Sequence, residues 1–373
     1  MYEIVLYLLG KAGINPGFLR IFDYITFRVM LAAATALIFE LIFGHRIIVM
    51  LYRRRFRDTG GEFSSIEATS KRGTPTGGGV LFIWGTLLAV LIWGRLTNRH
   101  LWIVLTAFAW FGMVGYLDDL QKTRFKSSLS GLSQVGKTFL QLAFIVPYAL
   151  FFVYCAFPVN PIPAEFRTDL FLPFVKHQAL PYALDSWVFV CFIVFAFFSI
   201  VNAVNITDGL DGLLTGPSIM CLSLYGVFAY IIGNAVLSKY LWFPFFPGAG
   251  EMAVFCGGLV GALFGFLWYN TYPAEIFMGD TGSLAIGGAL GALAFQTRQE
   301  LLFPIAGGVF VAMIASSLIQ EKIGMRMGRR IFLRAPIHHG LILKGVAEPK
   351  VVIRFWIVSI LLTLLAGISI KLR

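Results

Sequence analysis

Apolar runs of about twenty residues recur along the whole of this 373-residue chain, and they leave few ways for it to fold. They cover roughly residues 24–44, 78–95, 101–117, 138–157, 186–203, 212–233, 252–269, 283–297, 301–320 and 352–370. A helix crosses the hydrocarbon of a bilayer with ~20 apolar residues. None of the runs alternates apolar with polar residues as a membrane barrel strand does. Composition agrees: 58% of residues are hydrophobic and 13% charged, too little polar surface to coat a water-soluble globule. The same balance excludes a disordered chain or a coiled coil. The expected fold is all-α: a polytopic integral membrane protein of ten transmembrane helices, read as one membrane-embedded domain over 1–373. The opening segment, with Glu3 and Lys11, does not read as a cleavable leader.

Lys and Arg are unevenly placed. The loops 45–76, 118–137 and 321–350 carry eighteen, against ten on the opposite side, termini included. The positive-inside rule puts the first set in the cytoplasm and both termini outside. The net charge of +11 is mostly this bias, which also attracts anionic headgroups of membrane lipids. Scattered among loops, these cations form no nucleic-acid recognition module. Cys155, Cys191, Cys221 and Cys256 lie in apolar stretches without CxxC spacing, and read as small buried hydrophobes. Gly261-x-x-x-Gly265 and Gly287-x-x-x-Gly291 suit close helix packing.

Five aspartates sit at run ends, all on the expected cytoplasmic face: Asp118, Asp119, Asp208, Asp211 and Asp280. Ionisable groups near hydrocarbon are costly and are usually paired or functional. Asp208, Asp211 and Asp280 each precede an apolar run, where a carboxylate also serves as a helix cap. Asp118 and Asp119 follow one, at the end where the helix dipole disfavours anions, so they need a cation. Lysines or a divalent ion would supply it. Hard oxygen ligands on several loops suit Mg²⁺ with phosphate, and zinc lacks cysteine ligands. Lys71 and the glycines of Lys71–Gly79 offer charge and backbone N–H groups to an anion, or simply make a turn into a helix. Lys137 opens the next run in a similar way. The constellation suits phosphoryl transfer between a soluble donor and a lipid acceptor.

The stretches KRGTPTGGG (71–79), YLDDLQK (116–122), NAVNITDGLDGL (202–213), FLWYNTYPAEIFMGDTGSLAIGGALG (266–291), APIHH (335–339) and LKGVAEPKVVIRFW (343–356) occur in this order. In them the chain resembles the polyprenyl-phosphate N-acetylhexosamine-1-phosphate transferases, and the histidine loop with its following Leu-Lys-Gly and Glu-Pro favours the muramoyl-pentapeptide branch. The resemblance implies ten spans in a bacterial inner membrane, a homodimer as the usual state, and Mg²⁺ as cofactor. It implies UDP-N-acetylmuramoyl-pentapeptide as donor and undecaprenyl phosphate as acceptor, giving lipid I and UMP for peptidoglycan. Carried over by residue, Asp280 binds Mg²⁺ and is catalytic together with Asp118 and Asp119. One of that pair positions or deprotonates the lipid phosphate, or a carboxylate attacks first and forms a phosphosugar-enzyme. Lys71, Thr76 and Lys137 hold phosphate. Asn205, Asp208 and Asn270 contact the uridine–diphosphate region, and Ser283, Gln320, His338 and His339 contact substrate.

Two positions depart from the family pattern: Gly340 stands where a third histidine is usual, and Met313 where the ninth span usually has a glutamate. Three other readings compete. One is a non-catalytic scaffold, against which the carboxylate set weighs, and one is a sibling transferase using N-acetylglucosamine. The third is a transporter of anionic metabolites, which calls for charges buried mid-span and inverted repeats; the sequence displays neither.

Overall fold

A computed structural model describes Lys11 and residues 17–54, 73–125, 131–156, 159–175, 182–324 and 326–372. Every predicted run meets a helix. These are α1 (Ile25–Arg53), α2 (Gly79–Trp93), α3 (Arg99–Phe125), α4 (Gln134–Tyr154), α5 (Ser186–Thr207) and α6 (Thr215–Ile232). A short α7 (Ala235–Tyr240) follows, then α8 (Glu251–Asn270), α9 (Gly279–Gln296), α10 (Phe303–Ala306) and α11 (Gly308–Leu318). The small α12 (Ile337–Leu343) and α13 (Glu348–Ile368) close the chain. Seven of these, α1, α3, α4, α5, α6, α8 and α13, are long and apolar enough to cross a membrane. The only sheet among the described residues is a pair of two-residue antiparallel strands, β1 (Asp169–Leu170) and β2 (Tyr182–Ala183), in register Asp169 with Ala183.

Helix α9 is the axis of the bundle. From Thr281 to Gln296 every residue is buried, with α3, α5 and α2 packed around it. Its glycines and alanines permit this. So does Gly115 on α3, where a Cβ would fall 2.1 Å from the Asp280 carbonyl oxygen. The expected packing role of Gly261 and Gly265 holds: a Cβ on Gly261 would meet the Ala33 carbonyl, and one on Gly265 the Glu40 side chain. Gly287 and Gly291 meet Val201 and Phe197 in the same way. Outer helices turn Met30, Phe139, Phe195 and Leu361 away from the core, as a lipid-facing surface requires.

Four expectations need correction. Helix α3 does not stop at residue 117. It continues to Phe125, because Asp118 and Lys122 pair one turn apart and sustain a polar extension. The run 301–320 is not one straight span: the helix is bent by 83° at Gly307, with Pro304 at the start of α10 and Gly308 opening α11. Cys191 is exposed on the outer face of α5, whereas Cys221 and Cys256 are buried. An ionisable side chain is buried within a span. Glu40, midway along α1, is fully enclosed, and neither of its oxygens has a hydrogen-bond partner.

Buried ion pairs tie the end of the bundle where α1 and α8 begin. Arg28 holds Glu251 through two bonds of 2.7 and 2.5 Å and donates to the Trp93 carbonyl. Arg298, just past α9, is fully buried against Phe152, Phe171 and Phe189. It donates to the carbonyls of Phe166, Arg167 and Asp169 and pairs with Glu300 at 2.9 Å.

Candidate active site

At the other end of the bundle three helices deliver carboxylates and ammonium groups to one place. Asp118, Asp119 and Lys122 come from the polar extension of α3, Lys137 from the first turn of α4, and Asp280 from the first turn of α9. Each aspartate offers an oxygen, and these oxygens lie within 4.8 Å of one another. Lys122 Nζ is 2.6 Å from Asp118 Oδ2 and also contacts Asp280. Lys137 Nζ is 3.0 Å from Asp280 Oδ2 and 3.8 Å from Asp118 Oδ2. The Leu132 amide donates to Asp118 Oδ1 at 2.8 Å, closing the 131–132 turn over it.

The adjacent aspartates are not equivalent. Asp119 is a cap, but for a helix far away in sequence. Its Oδ1 accepts from the Asp280 amide at 3.2 Å, and its Oδ2 accepts from the Thr281 amide at 2.9 Å and the Thr281 hydroxyl at 2.6 Å. That satisfies the first free N–H groups of α9. The expectation that neither member of the pair is a cap is thus corrected for Asp119. Asp280 in turn is free of capping duty. Asn205, on the last turn of α5, donates to Asp280 Oδ1 and, at 2.8 Å, to Ser283 Oγ, which donates to the Gly279 carbonyl. Burial opposes ionisation of Asp280, but the hydrogen bond with Asp118 and the charges of Lys137 and Lys122 outweigh it. They hold its carboxyl below the usual range.

The turn between α5 and α6 completes the rim. Asp208 caps no helix N-terminus; it ends α5. Desolvation pushes its carboxyl up to about 8, with the charges of Asp280, Asp119 and Asp211 adding and Lys122 opposing. At neutral pH this carboxyl therefore keeps its proton. Asp211 accepts from the Ala274 amide at 3.0 Å, and its own amide donates to Glu348 at 3.0 Å. Asn270 is an internal brace: its oxygen accepts from the Gly212 amide at 3.1 Å and its nitrogen donates to the Ile276 carbonyl at 2.8 Å.

Of the phosphate-binding stretch, Lys71 lies outside the described residues. Thr76 is at the site: a Cβ on Gly279 would fall 2.6 Å from Asp119 Oδ2 and 3.1 Å from Thr76 Oγ1. The expected glycine cradle is different from a ring of free N–H groups. Gly78 and Gly79 donate to the Phe277 and Met278 carbonyls at 2.9 Å, and so lock the start of α2 to the turn ahead of α9.

His338 is buried, with Nδ1 3.2 Å from Met313 Sδ and Nε2 against Gly209, where a Cβ would fall 2.2 Å away. Its ring centre is 4.2 Å from that of His339. Burial first, then His339 and Arg334, push His338 down to about 3; burial and Arg334 push His339 down to about 4. His339 and Gln320 line a cavity of about 680 Å³ with Arg330 and Arg334. Gln320 also accepts from the amides of Ile331 and Phe332. Sequence reasoning left out Lys122, which the one-turn spacing from Asp118 signals, and Thr281, whose role is visible only in three dimensions.

A family model described as glycosyl transferase family 4 matches residues 101–298. The phospho-N-acetylmuramoyl-pentapeptide-transferase of Citrifermentans bemidjiense is 44% identical over 357 residues, 95% of this chain and 96% of that protein. The one from Geobacter sp. strain M21 is 43% identical over the same shares.

Proposed function

This chain belongs to glycosyl transferase family 4 and, within it, to the phospho-N-acetylmuramoyl-pentapeptide transferases, and from that membership we propose the reaction it carries out. It transfers phospho-N-acetylmuramoyl-pentapeptide from the UDP-linked donor to undecaprenyl phosphate, releasing UMP and forming lipid I. The carrying observation is the meeting of Asp118, Asp280, Lys122 and Lys137 in one partly buried cluster. The cluster lies at the helix ends bearing the Lys- and Arg-rich loops, which supports a site on the cytoplasmic face of the inner membrane.

The lipid phosphate has a second pKa of about 6 and is mostly dianionic near neutral pH, so it attacks without strong base help. Its oxygen bonds to the sugar-linked phosphorus while the bond from that phosphorus to UMP breaks. The barrier is the approach of two anions, which fixed cations lower. Lys122 and Lys137 supply two such charges, held in place by Asp118 and Asp280. Asn205 and Ser283 orient Asp280. Asp119 acts through α9, as a positioning residue. Thr76 presents its hydroxyl beside the same turn. The hard oxygens of Asp280 and Asp118, which lie within 4.8 Å of each other, fit a divalent ion. Mg²⁺ held there would neutralise donor diphosphate charge.

The test is Asp280→Ala assayed for UMP release in detergent with saturating Mg²⁺. The expected loss is roughly a hundredfold or more; near-normal turnover removes Asp280 from the mechanism. With lipid withheld, direct attack gives no phosphosugar–protein adduct, and trapping one would establish the covalent route instead.

A further inference from the structure

Helix α1 outlasts the membrane it enters. Its apolar run ends at Gly44, yet the helix continues to Arg53, about 14 Å further at 1.5 Å per residue. That extension crosses the headgroup layer. Along it Gly44, Ile48 and Leu51 are buried, while His45, Arg46, Met50, Arg53 and Arg54 are exposed. At 100° per residue the exposed set forms one stripe on the outward face. His45, Arg46, Val49, Met50, Arg53 and Arg54 line an open hollow of about 530 Å³. The lining holds three arginines, a histidine, a valine and a methionine, and no carboxylate. Arg46 is set over the Phe43 ring, 5.8 Å from its centre. Among the described residues, no acidic side chain pairs with Arg46, Arg53 or Arg54.

Orientation bias and the helix dipole account for cations at this end. They do not account for three arginines and a histidine sharing one hollow with Val49 and Met50 where the helix leaves the hydrocarbon. We propose that this hollow is a binding site for the headgroup of an anionic phospholipid, with arginines on the phosphate and Val49 and Met50 against the upper acyl segment. It opens at the same end of the bundle as the acidic cluster. Gly44 packs on Tyr269, whose hydroxyl donates to the Leu41 carbonyl, and the next residue, Asn270, braces the 208–213 turn. The site is separate from the catalytic groups and does not depend on the reaction assigned to them.

The experiment is native mass spectrometry of the full-length protein in mild detergent, with phosphatidylglycerol or phosphatidylcholine added at equal concentration. The wild type retains phosphatidylglycerol in preference. The triple variant R46Q/R53Q/R54Q retains it roughly a hundredfold less tightly. R46K/R53K/R54K, which keeps the charge, retains most of the binding, and the single variants R46Q and R53Q each lose part of it. Equal retention by the wild type and the Gln variants, or equal retention of the two lipids, overturns the proposal. So does full displacement of phosphatidylglycerol by millimolar inorganic phosphate, which would make the hollow a site for free phosphate.

Discussion

Asp119 commits both carboxylate oxygens to a helix that starts 160 residues away, while Asp118 beside it faces the lysines. The adjacency of the two was plain in the sequence; the division of labour was not, because the amides that Asp119 satisfies are distant along the chain. The same holds for Asn270 and Ser283, whose polar atoms turn inward to brace turns. The roles therefore separate by experiment. Asp119→Ala leaves the Thr281 hydroxyl and amide without an acceptor and should cost about 2 kcal/mol. This is readable as a lowered unfolding midpoint in detergent. Asp119→Asn, which keeps one acceptor oxygen, should recover about half of that and a measurable share of turnover. Asp280→Asn should unfold close to the wild-type midpoint but stay inactive.

At the scale of the element, each apolar run marked helix, the 301–320 run two of them, because lipid leaves a spanning backbone little choice but to satisfy itself within a helix. What the runs concealed was how helices end and bend. Polarity returns at Asp118, yet α3 continues for two turns, and the bend at Gly307 sits inside an uninterrupted apolar stretch. Pro304 and the Gly307–Gly308 pair were the available signals. Helix contacts make a sharp test within α8. A Cβ at Gly261 would fall 2.1 Å from a backbone oxygen of α1, while one at Gly258 would rest 3.4 Å from the Ala89 methyl. Gly261→Ala should destabilise by about 1–3 kcal/mol. Gly258→Ala should be neutral or slightly stabilising, as measured by the temperature of aggregation onset in the same detergent.

Across the whole molecule, the histidine loop ties stability to pH. His338, pushed down to about 3, and His339, to about 4, stay neutral in the fold, while the unfolded chain takes up their protons below about 6.5. Through these two groups the unfolded state binds more protons between pH 6.5 and 4, and their contribution to stability falls as pH falls. For His338 alone the loss reaches about 2 kcal/mol by pH 5. The wild-type midpoint should therefore lose more between pH 7 and pH 5 than that of His338→Asn, and identical pH dependence in the two would contradict this.

Helix α9 is held at both ends: Asp119 caps its start, and Arg298, just past its finish, grips the carbonyls of residues 166–169. A rod fastened twice cannot slide along its own length. The depth of Asp280 beneath the surface is thus gauged from the opposite side, and the 166–169 loop works as a depth stop for chemistry some 27 Å away, the length of eighteen helical residues.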